Sequence, residues 1–254
     1  MAARKGPPVT AALSIASLRK SFGGLPAADG VSMEVAAGER RLIIGPNGAG
    51  KTTLFNLISG DLRADSGSVR LFGEEVGRLR PDQRAQRGLA RTYQIITLFP
   101  RNTIAENVIL AMLGLTSSRW QPFLPLAGRS DLRDRAREVL ARVGLEAVAD
   151  RPLAAASYGE KRRAEIAMAL AQDPRILLLD EPLAGLSMEE RTSVQALLEA
   201  IPRDVTIVMI EHDIDAALAF AERITVLHYG TVIVEGTRAE VVAHPRTREV
   251  YLGA

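Results

Sequence analysis

The chain has no cysteine. Disulfides, thiolate nucleophiles and cysteine metal ligands are therefore excluded, and a reducing compartment suits it. Aromatic residues are scarce, at 4%. A nucleic-acid groove usually combines stacking aromatics with clustered positive charge. That cluster is missing too, because 32 basic residues face 30 acidic ones and the signs alternate along the chain. The net charge of +2 makes the pI of about 9.1 overstate how basic the surface is, and no nucleic-acid partner is expected. Lysine occurs only at Lys5, Lys20, Lys51 and Lys161; the remaining basic residues are arginine. No apolar run reaches the length of about 18 residues that a membrane-crossing helix needs. The opening MAARKGPPVTAALS has no apolar core long enough for a signal peptide, and residues 1–12 read as a short flexible lead. Internal repeats and low-complexity tracts are also absent. What is present is 254 residues, 47% of them hydrophobic. That is ample for one large α/β domain, or for a core plus a subdomain.

The most informative stretch is Gly45-Pro46-Asn47-Gly48-Ala49-Gly50-Lys51-Thr52-Thr53. It fits G-x-x-x-x-G-K-[ST] at every fixed position. It follows a short apolar run, Arg41 to Ile44, and precedes Leu54, Leu57 and Ile58 at helical spacing. Strand, glycine-rich loop and helix in that order make a phosphate cradle. Successive backbone N–H groups converge on the oxygens, and the helix start adds its orphan N–H groups and positive dipole end. Lys51 would reach the β- and γ-phosphates, and the Thr52 hydroxyl would hold Mg²⁺. The expected ligand is a nucleoside triphosphate.

On either side of the loop, Leu13–Phe22, Gly30–Val35 and Gly67–Phe72 read as short strands of an antiparallel sheet. Turns are expected at Gly23-Gly24 and Asp29-Gly30. A short polar helix is expected over Asp82–Arg87. Thr103 to Glu106 forms a capping box that opens an apolar-periodic segment through Leu113. Gly114–Ser130, which holds Trp120, has no clear period and reads as an irregular connection. Leu132, Ala136, Val139, Leu140 and Val143 make a helix face that stops at Gly144. Residues 95–172 therefore read as a helical subdomain. Beyond it, Arg175–Leu179 and Val205–Ile210 lack polar alternation, as strands covered on both faces do. Helices are expected after each, one bearing Val194, Leu197, Leu198 and Ile201, the other Ile214, Ala217, Leu218 and Ala221. Tyr229-Gly230 reads as a hairpin turn. The fold class expected is α/β with a parallel-sheet core, an antiparallel β subdomain and a helical subdomain. Its parts span 13–94, 95–172 and 173–254.

Two further sites carry chemistry. Asp180 and Glu181 end a buried strand, where open α/β sheets place their ligands. Asp180 would support Mg²⁺ through its water shell and Glu181 would polarise an attacking water. Ser157-Tyr158-Gly159-Glu160 opens a helix carrying Ile166, Ala169 and Leu170. It reads equally as a capping box, with Ser157 at the N-cap and Glu160 at N3, and as a second phosphate site built on Gly159 and the Ser157 hydroxyl.

The order of these elements resembles the ATP-binding-cassette (ABC) ATPases over nearly the whole chain. Gly45–Thr52 matches Walker A and Ile176–Glu181 matches Walker B. Ala156–Glu160 stands where the family most often has LSGGQ. Gln94 in RTYQ matches the Q-loop glutamine, and His212 in IEHD the switch histidine. Ala184–Ser187 matches the D-loop and Phe22 the aromatic that stacks on adenine. Tyr158 in place of glycine, and Ser187 in place of aspartate, depart from the general pattern. They are similar to one subgroup, the ATPases of branched-chain amino-acid importers, as are SYGEKRRAEIAMAL, ARTYQIITLFPRNTIAENVILAM and LRKSFGG. The resemblance implies a two-protomer sandwich, homo- or heterodimeric, binding ATP and Mg²⁺. Each ATP would lie between Walker A of one protomer and Ser157–Glu160 of the other. It further implies catalytic roles for Lys51, Glu181, His212 and Gln94, with Gln94 also near the metal. The partners implied are transmembrane permease subunits and, indirectly, a separate substrate-binding protein. The place implied is the inner face of the cell membrane. Urea or amide import and lipopolysaccharide export are alternatives within the family. A soluble mechanical ATPase acting on nucleic acid or ribosomes is the alternative of another class.

Overall fold

The structure, a computed structural model, describes residues 11–93, 99–116, 130–211 and 220–252. The lead before residue 11, Gln94, the connection around Trp120, His212 and the segment with Ile214, Ala217 and Leu218 lie outside the described residues. In chain order the first elements are β1 (Ala11–Phe22), β2 (Leu25–Ala36), β3 (Arg40–Ile44), α1 (Lys51–Ser59), β4 (Ser66–Leu71), β5 (Glu74–Glu75) and α2 (Pro81–Ala85). Then come β6 (Leu89–Arg91), α3 (Ile104–Gly114), α4 (Ser130–Arg142), α5 (Tyr158–Leu170), β7 (Ile176–Asp180) and α6 (Met188–Ala200). The last are β8 (Thr206–Ile210), β9 (Arg223–His228), β10 (Thr231–Gly236), α7 (Arg238–Ala243) and α8 (Pro245–Leu252). The chain forms two compact units, one from residues up to Arg87 and from Pro202 onward, the other from Gly88–Ile201.

In the first unit, β2, β1, β4 and β5 pair antiparallel in that order. The β1–β2 hairpin turns at Gly23 and Gly24, both with positive φ (54° and 86°). A two-residue turn of this kind matches the twist of its strands and is open to glycine at low cost. Asp29-Gly30, expected as a turn, lies inside β2. Leu18 pairs with Val31 and Arg19 with Asp29, so Gly30 (φ 72°) is the extra residue of a bulge. Glycine takes the left-handed conformation that a bulge demands without ending the strand.

Beside this sheet, β3 pairs parallel with both β8 and β9, and β10 returns antiparallel to β9. Every residue of β3 and β8 is buried, as expected of strands covered on both faces. That burial includes Arg41, which the apolar reading of this run does not anticipate. Its guanidinium donates to Glu39 Oε1 (2.6 Å), Thr225 Oγ1 (2.9 Å) and Glu34 O (2.7 Å), and it pairs with Glu235. The planar fork of arginine suits such a site because its fixed donors can each find an acceptor.

Arg84 does comparable work at the end of α1. It is 2% exposed and donates to the carbonyls of Leu57 (2.6 Å), Ile58 (2.7 Å), Leu79 (3.1 Å) and Gly77 (3.2 Å). The last carbonyls of a helix have no partner within it and favour a cation. One side chain thus ties the C-terminal turn of α1 to α2 and the segment before it.

The second unit pairs β6 parallel with β7. Its helices α3, α4 and α5 share a core of Ile104, Val108 and Met112, Leu132, Ala136 and Leu140, and Ala164 and Ala167. The small side chains on α5 let its backbone approach the others closely. Thr103 caps α3 and forms the expected box with Glu106. Asn107 is fully buried and holds Phe99 and Thr103 through three hydrogen bonds of 2.8–3.1 Å. On the inner face of α5, Arg162 and Glu165 form a buried ion pair of 2.8 Å. Burial pushes the Glu165 carboxyl up to about 7, against the opposite pull of Arg162.

Two measurements check these buried charges. Arg84→Met should lower stability by about 2–4 kcal/mol, because two buried and two part-buried carbonyls lose their donor; an unchanged denaturation midpoint would refute the tie. Glu165 holds its proton more tightly folded than unfolded, so its contribution to stability falls as pH rises from about 4.5 to about 7. Glu165→Gln should remove on the order of 1–3 kcal/mol of that fall. Melting curves at pH 5 and pH 7.5 should then lie closer together than in the parent, and an equal spacing would count against the assignment.

Candidate functional site

The glycine-rich loop leaves β3 at Gly45 and enters α1 at Lys51. Its shape is imposed by close backbone neighbours. A Cβ on Gly45 would lie 2.3 Å from the Leu227 carbonyl, and one on Gly50 (φ 99°) 2.3 Å from that of Ala27. Neither position tolerates a side chain. Ala49 N–H bonds back to Pro46 O (3.1 Å), and Gly230 N–H donates to Ala49 O (2.9 Å). By contrast, a Cβ on Gly48 (φ 79°) would meet nothing within 4 Å, so this part of the loop faces open space.

The start of α1 differs from other helix starts in the chain. α3, α5, α6 and α7 each begin with Ser or Thr at the N-cap and Glu at N3, in a complete capping box. At α1 the N-cap is Gly50, which has no side chain to offer the helix start, and the first turn has no acidic residue. Its orphan N–H groups and dipole are thus left for an anion. Lys51 is 6% exposed, and its ammonium donates to the carbonyls of Gly45 (2.6 Å) and Pro46 (3.1 Å) across the loop. Thr52 is exposed. Phe22, at the end of β1, is 48% exposed, with the Lys20 ammonium 5.6 Å from its ring centroid.

In the second unit, β7 delivers Asp180 and Glu181. Asp180 is 1% exposed; its Oδ2 accepts from Arg91 (2.9 Å) and its N–H donates to Thr92 Oγ1 (3.3 Å). Oδ1 is buried with no hydrogen-bond partner among the described residues. Burial raises this carboxyl above its usual range while Arg91 pulls it down. A buried acceptor without a donor is costly unless a cation or water serves it, so Asp180 fits a hard divalent ion such as Mg²⁺. Glu181 is 8% exposed and has φ 49°, a left-handed conformation costly for a residue with a Cβ. The turn that follows is closed by Ala184 N–H on Glu181 O (3.2 Å).

At the start of α5 the expected capping box is complete. Ser157 Oγ accepts from Glu160 N–H (3.1 Å), and Glu160 Oε2 accepts from Ser157 N–H (2.7 Å). Tyr158, the first helical residue, is 43% exposed. Its ring lies against Gly185, where a Cβ would be 3.2 Å from Cε1, and 5.9 Å from the Arg162 guanidinium. Gly159 is buried, and its N–H donates to Glu190 Oε1 (3.1 Å).

Gln94 and His212 are outside the described residues. Three residues of this region went unread in the sequence: Arg91, Arg162 and Glu190. Glu190 did carry a signal, since Ser187-Met188-Glu189-Glu190 repeats the capping-box spacing of Ser157–Glu160. The two arginines carried none, because their interest lies in burial.

Known proteins are similar to this chain over most of its length. The family model described as "ABC transporter" matches residues 28–184. The high-affinity branched-chain amino acid transport ATP-binding protein BraF of Pseudomonas aeruginosa is 35% identical over 95% of this chain and 97% of its own. The Escherichia coli protein of the same description, LivG, is 36% identical over the same shares. A nucleotide-free ATP-binding cassette from an ABC transporter superposes with a TM-score of 0.86 at 30% identity, covering 96% of this chain and all of that one. A dimeric cassette in a post-hydrolysis state, bound to ADP and Pi, gives 0.76 at 28% identity, over 89% and 98%. Sequence, loop geometry and fold thus agree, and the chain belongs to the family of ABC transporter ATP-binding cassettes.

Proposed function

We propose that this chain is the ATP-hydrolysing subunit that powers a membrane importer for branched-chain amino acids. The observation that carries the reading is near end-to-end similarity to BraF and LivG, with 97% of each covered. The chemistry is supported by the loop. ATP would seat its phosphates on the uncapped start of α1 and the open face at Gly48. Lys51 would turn from the Gly45 and Pro46 carbonyls to the β- and γ-phosphates, and Phe22 would stack on the adenine. Thr52, through its exposed hydroxyl, and Asp180, through its unpartnered Oδ1, are the oxygens suited to Mg²⁺. Bound Mg²⁺ would supply neutralising charge for the β- and γ-oxygens. Glu181 would hold and polarise the attacking water, His212 would contact the γ-phosphate, and Gln94 would report on it. Ser157 and Gly159 would face the ATP of a second protomer, whether a copy or a related ATPase.

Among the described residues no helix is long and apolar enough to cross a membrane. In this proposal the translocation path would belong to separate permease subunits, with the substrate delivered by a separate binding protein, and this chain would sit peripherally on the cytoplasmic face. ATP binding would close the two protomers and hydrolysis would reopen them.

Glu181→Gln should keep nucleotide affinity and lose at least about 100-fold in turnover, the scale of a general base; steady-state hydrolysis near the parent rate would remove Glu181 from this role. Coexpressed with its neighbouring genes, the protein should copurify with a polytopic membrane protein. Reconstituted vesicles should then take up labelled leucine only with ATP. Uptake of urea in place of leucine would redirect the substrate assignment.

A further inference from the structure

The start of α5 is already occupied by a carboxylate of the same chain. Ser187 caps α6, and its box partner Glu190 accepts from Ser187 N–H through Oε2 (3.1 Å). The other oxygen, Oε1, reaches across to accept the Gly159 N–H (3.1 Å). The Ser187 N–H and hydroxyl, and then the Gly159 amide, hold the Glu190 carboxyl below the usual range. The fit is tight. A Cβ on Gly159 would lie 2.4 Å from Oε1, so only glycine admits the carboxylate here. The contact is reciprocal, because Tyr158 of α5 rests on Gly185 just ahead of α6. Two glycines thus each receive a side chain from the other segment. Arg162 lies behind the clasp, its Nη2 3.5 Å from the Tyr158 hydroxyl and its Nη1 bonded to Glu165.

A carboxylate and a phosphate want the same thing from a helix start: N–H donors, a hydroxyl and the positive end of the dipole. Glu190 takes the Gly159 amide, one of the two groups assigned above to the partner protomer's ATP. We propose that Glu190 is a built-in competitor of the partner's γ-phosphate, held on the α5 start in the separate protomer and displaced when the ATP sandwich forms. This rests on the two-protomer reading of Ser157 and Gly159. Its consequence is a higher ATP requirement for closure than an open helix start would impose. A closed dimer then forms only when a full triphosphate is present to outcompete the carboxylate. Ser187 at the D-loop acquires a role as well, because its cap sets the rotamer that aims Glu190 at Gly159.

Glu190→Gln tests this. Glutamine is also a capping-box residue at N3, so α6 keeps its start, while the charge and most of the attraction to the amide are lost. Two readouts apply to the full-length chain carrying Glu181→Gln to block turnover. In ¹⁵N-labelled protein without nucleotide, the Gly159 amide proton should shift upfield and exchange faster on Glu190→Gln. An unmoved Gly159 signal would overturn the contact itself. Sedimentation with increasing ATP, with the ATPase subunit that copurifies included, should give half-maximal dimer at about three- to tenfold lower ATP in the Gln variant. Affinity of the separate protomer for ATP should stay the same. An unchanged or higher half-maximal concentration, with a shifted Gly159 signal, would overturn the competition. An equal gain in protomer affinity would move the effect to the chain's own loop and refute it too. Absence of any ATP-dependent dimer in both backgrounds, with Gly159 still responding, would instead defeat the two-protomer reading.

Discussion

A helix begins with N–H groups that its own backbone cannot satisfy, and much of this chain's functional design is a decision about what satisfies them. At α3, α5, α6 and α7 a Ser or Thr and a Glu three residues on do so locally. At α1 the N-cap is Gly50, which has no side chain to cap with, and the first turn has no acid. An uncapped helix start gives up a stabilising contribution that ranges from about 0.5 to 2 kcal/mol. In the proposed reading the chain accepts that loss where a triphosphate would provide far stronger acceptors. The same physics explains the α5 start, where a capped helix still offers the Gly159 amide and Glu190 takes it.

The second constraint is buried charge. Arg41, Arg84 and Arg162 are nearly inaccessible, each in a nest of carbonyls or carboxylates. Taking an ion out of water is costly unless its full donor set is met, and the arginine fork is better suited to that than an ammonium. The bias of this sequence toward arginine over lysine finds a structural use here. Arg84 anchors the end of the helix whose start is proposed to receive phosphate, so in that reading the two ends of α1 are held by opposite means. Lys51 is the informative exception. A flexible ammonium that can leave two loop carbonyls for an anion is what a phosphate-binding loop needs.

Asp180 joins the two themes. One of its oxygens is committed to Arg91 and the other is buried without a donor, a half-satisfied state that stands out in a well-packed interior. The left-handed backbone at Glu181 adds strain at the next residue. Unsatisfied acceptors and strain beside each other are the marks of a site shaped for a ligand rather than for stability.

Local pattern was enough to read the strand–loop–helix of Gly45–Thr53, the capping boxes at Thr103 and Ser157, the buried strands β7 and β8, and the family. Each depends on spacing within a few residues, which a sequence displays directly. What it could not display is which distant groups meet. Asp29-Gly30 carries a turn signature, yet pairing with β1 turns it into a bulge inside a strand, since a glycine with positive φ serves either and only the partner strand chooses. Arg41 reads as the edge of an apolar run, but Glu39, Thr225 and Glu34, the last two from other strands, decide that it can be buried. Tyr158 reads as an obstacle in a phosphate site, and packing against Gly185 gives its ring a place on the neighbouring turn. The identity of the loop and its ligand was determined by sequence, because backbone amides and one lysine suffice for it. The state of the α5 helix start was decided only by tertiary structure, because a carboxylate 31 residues away in the chain comes within hydrogen-bond reach of Gly159 only once α5 and α6 pack together.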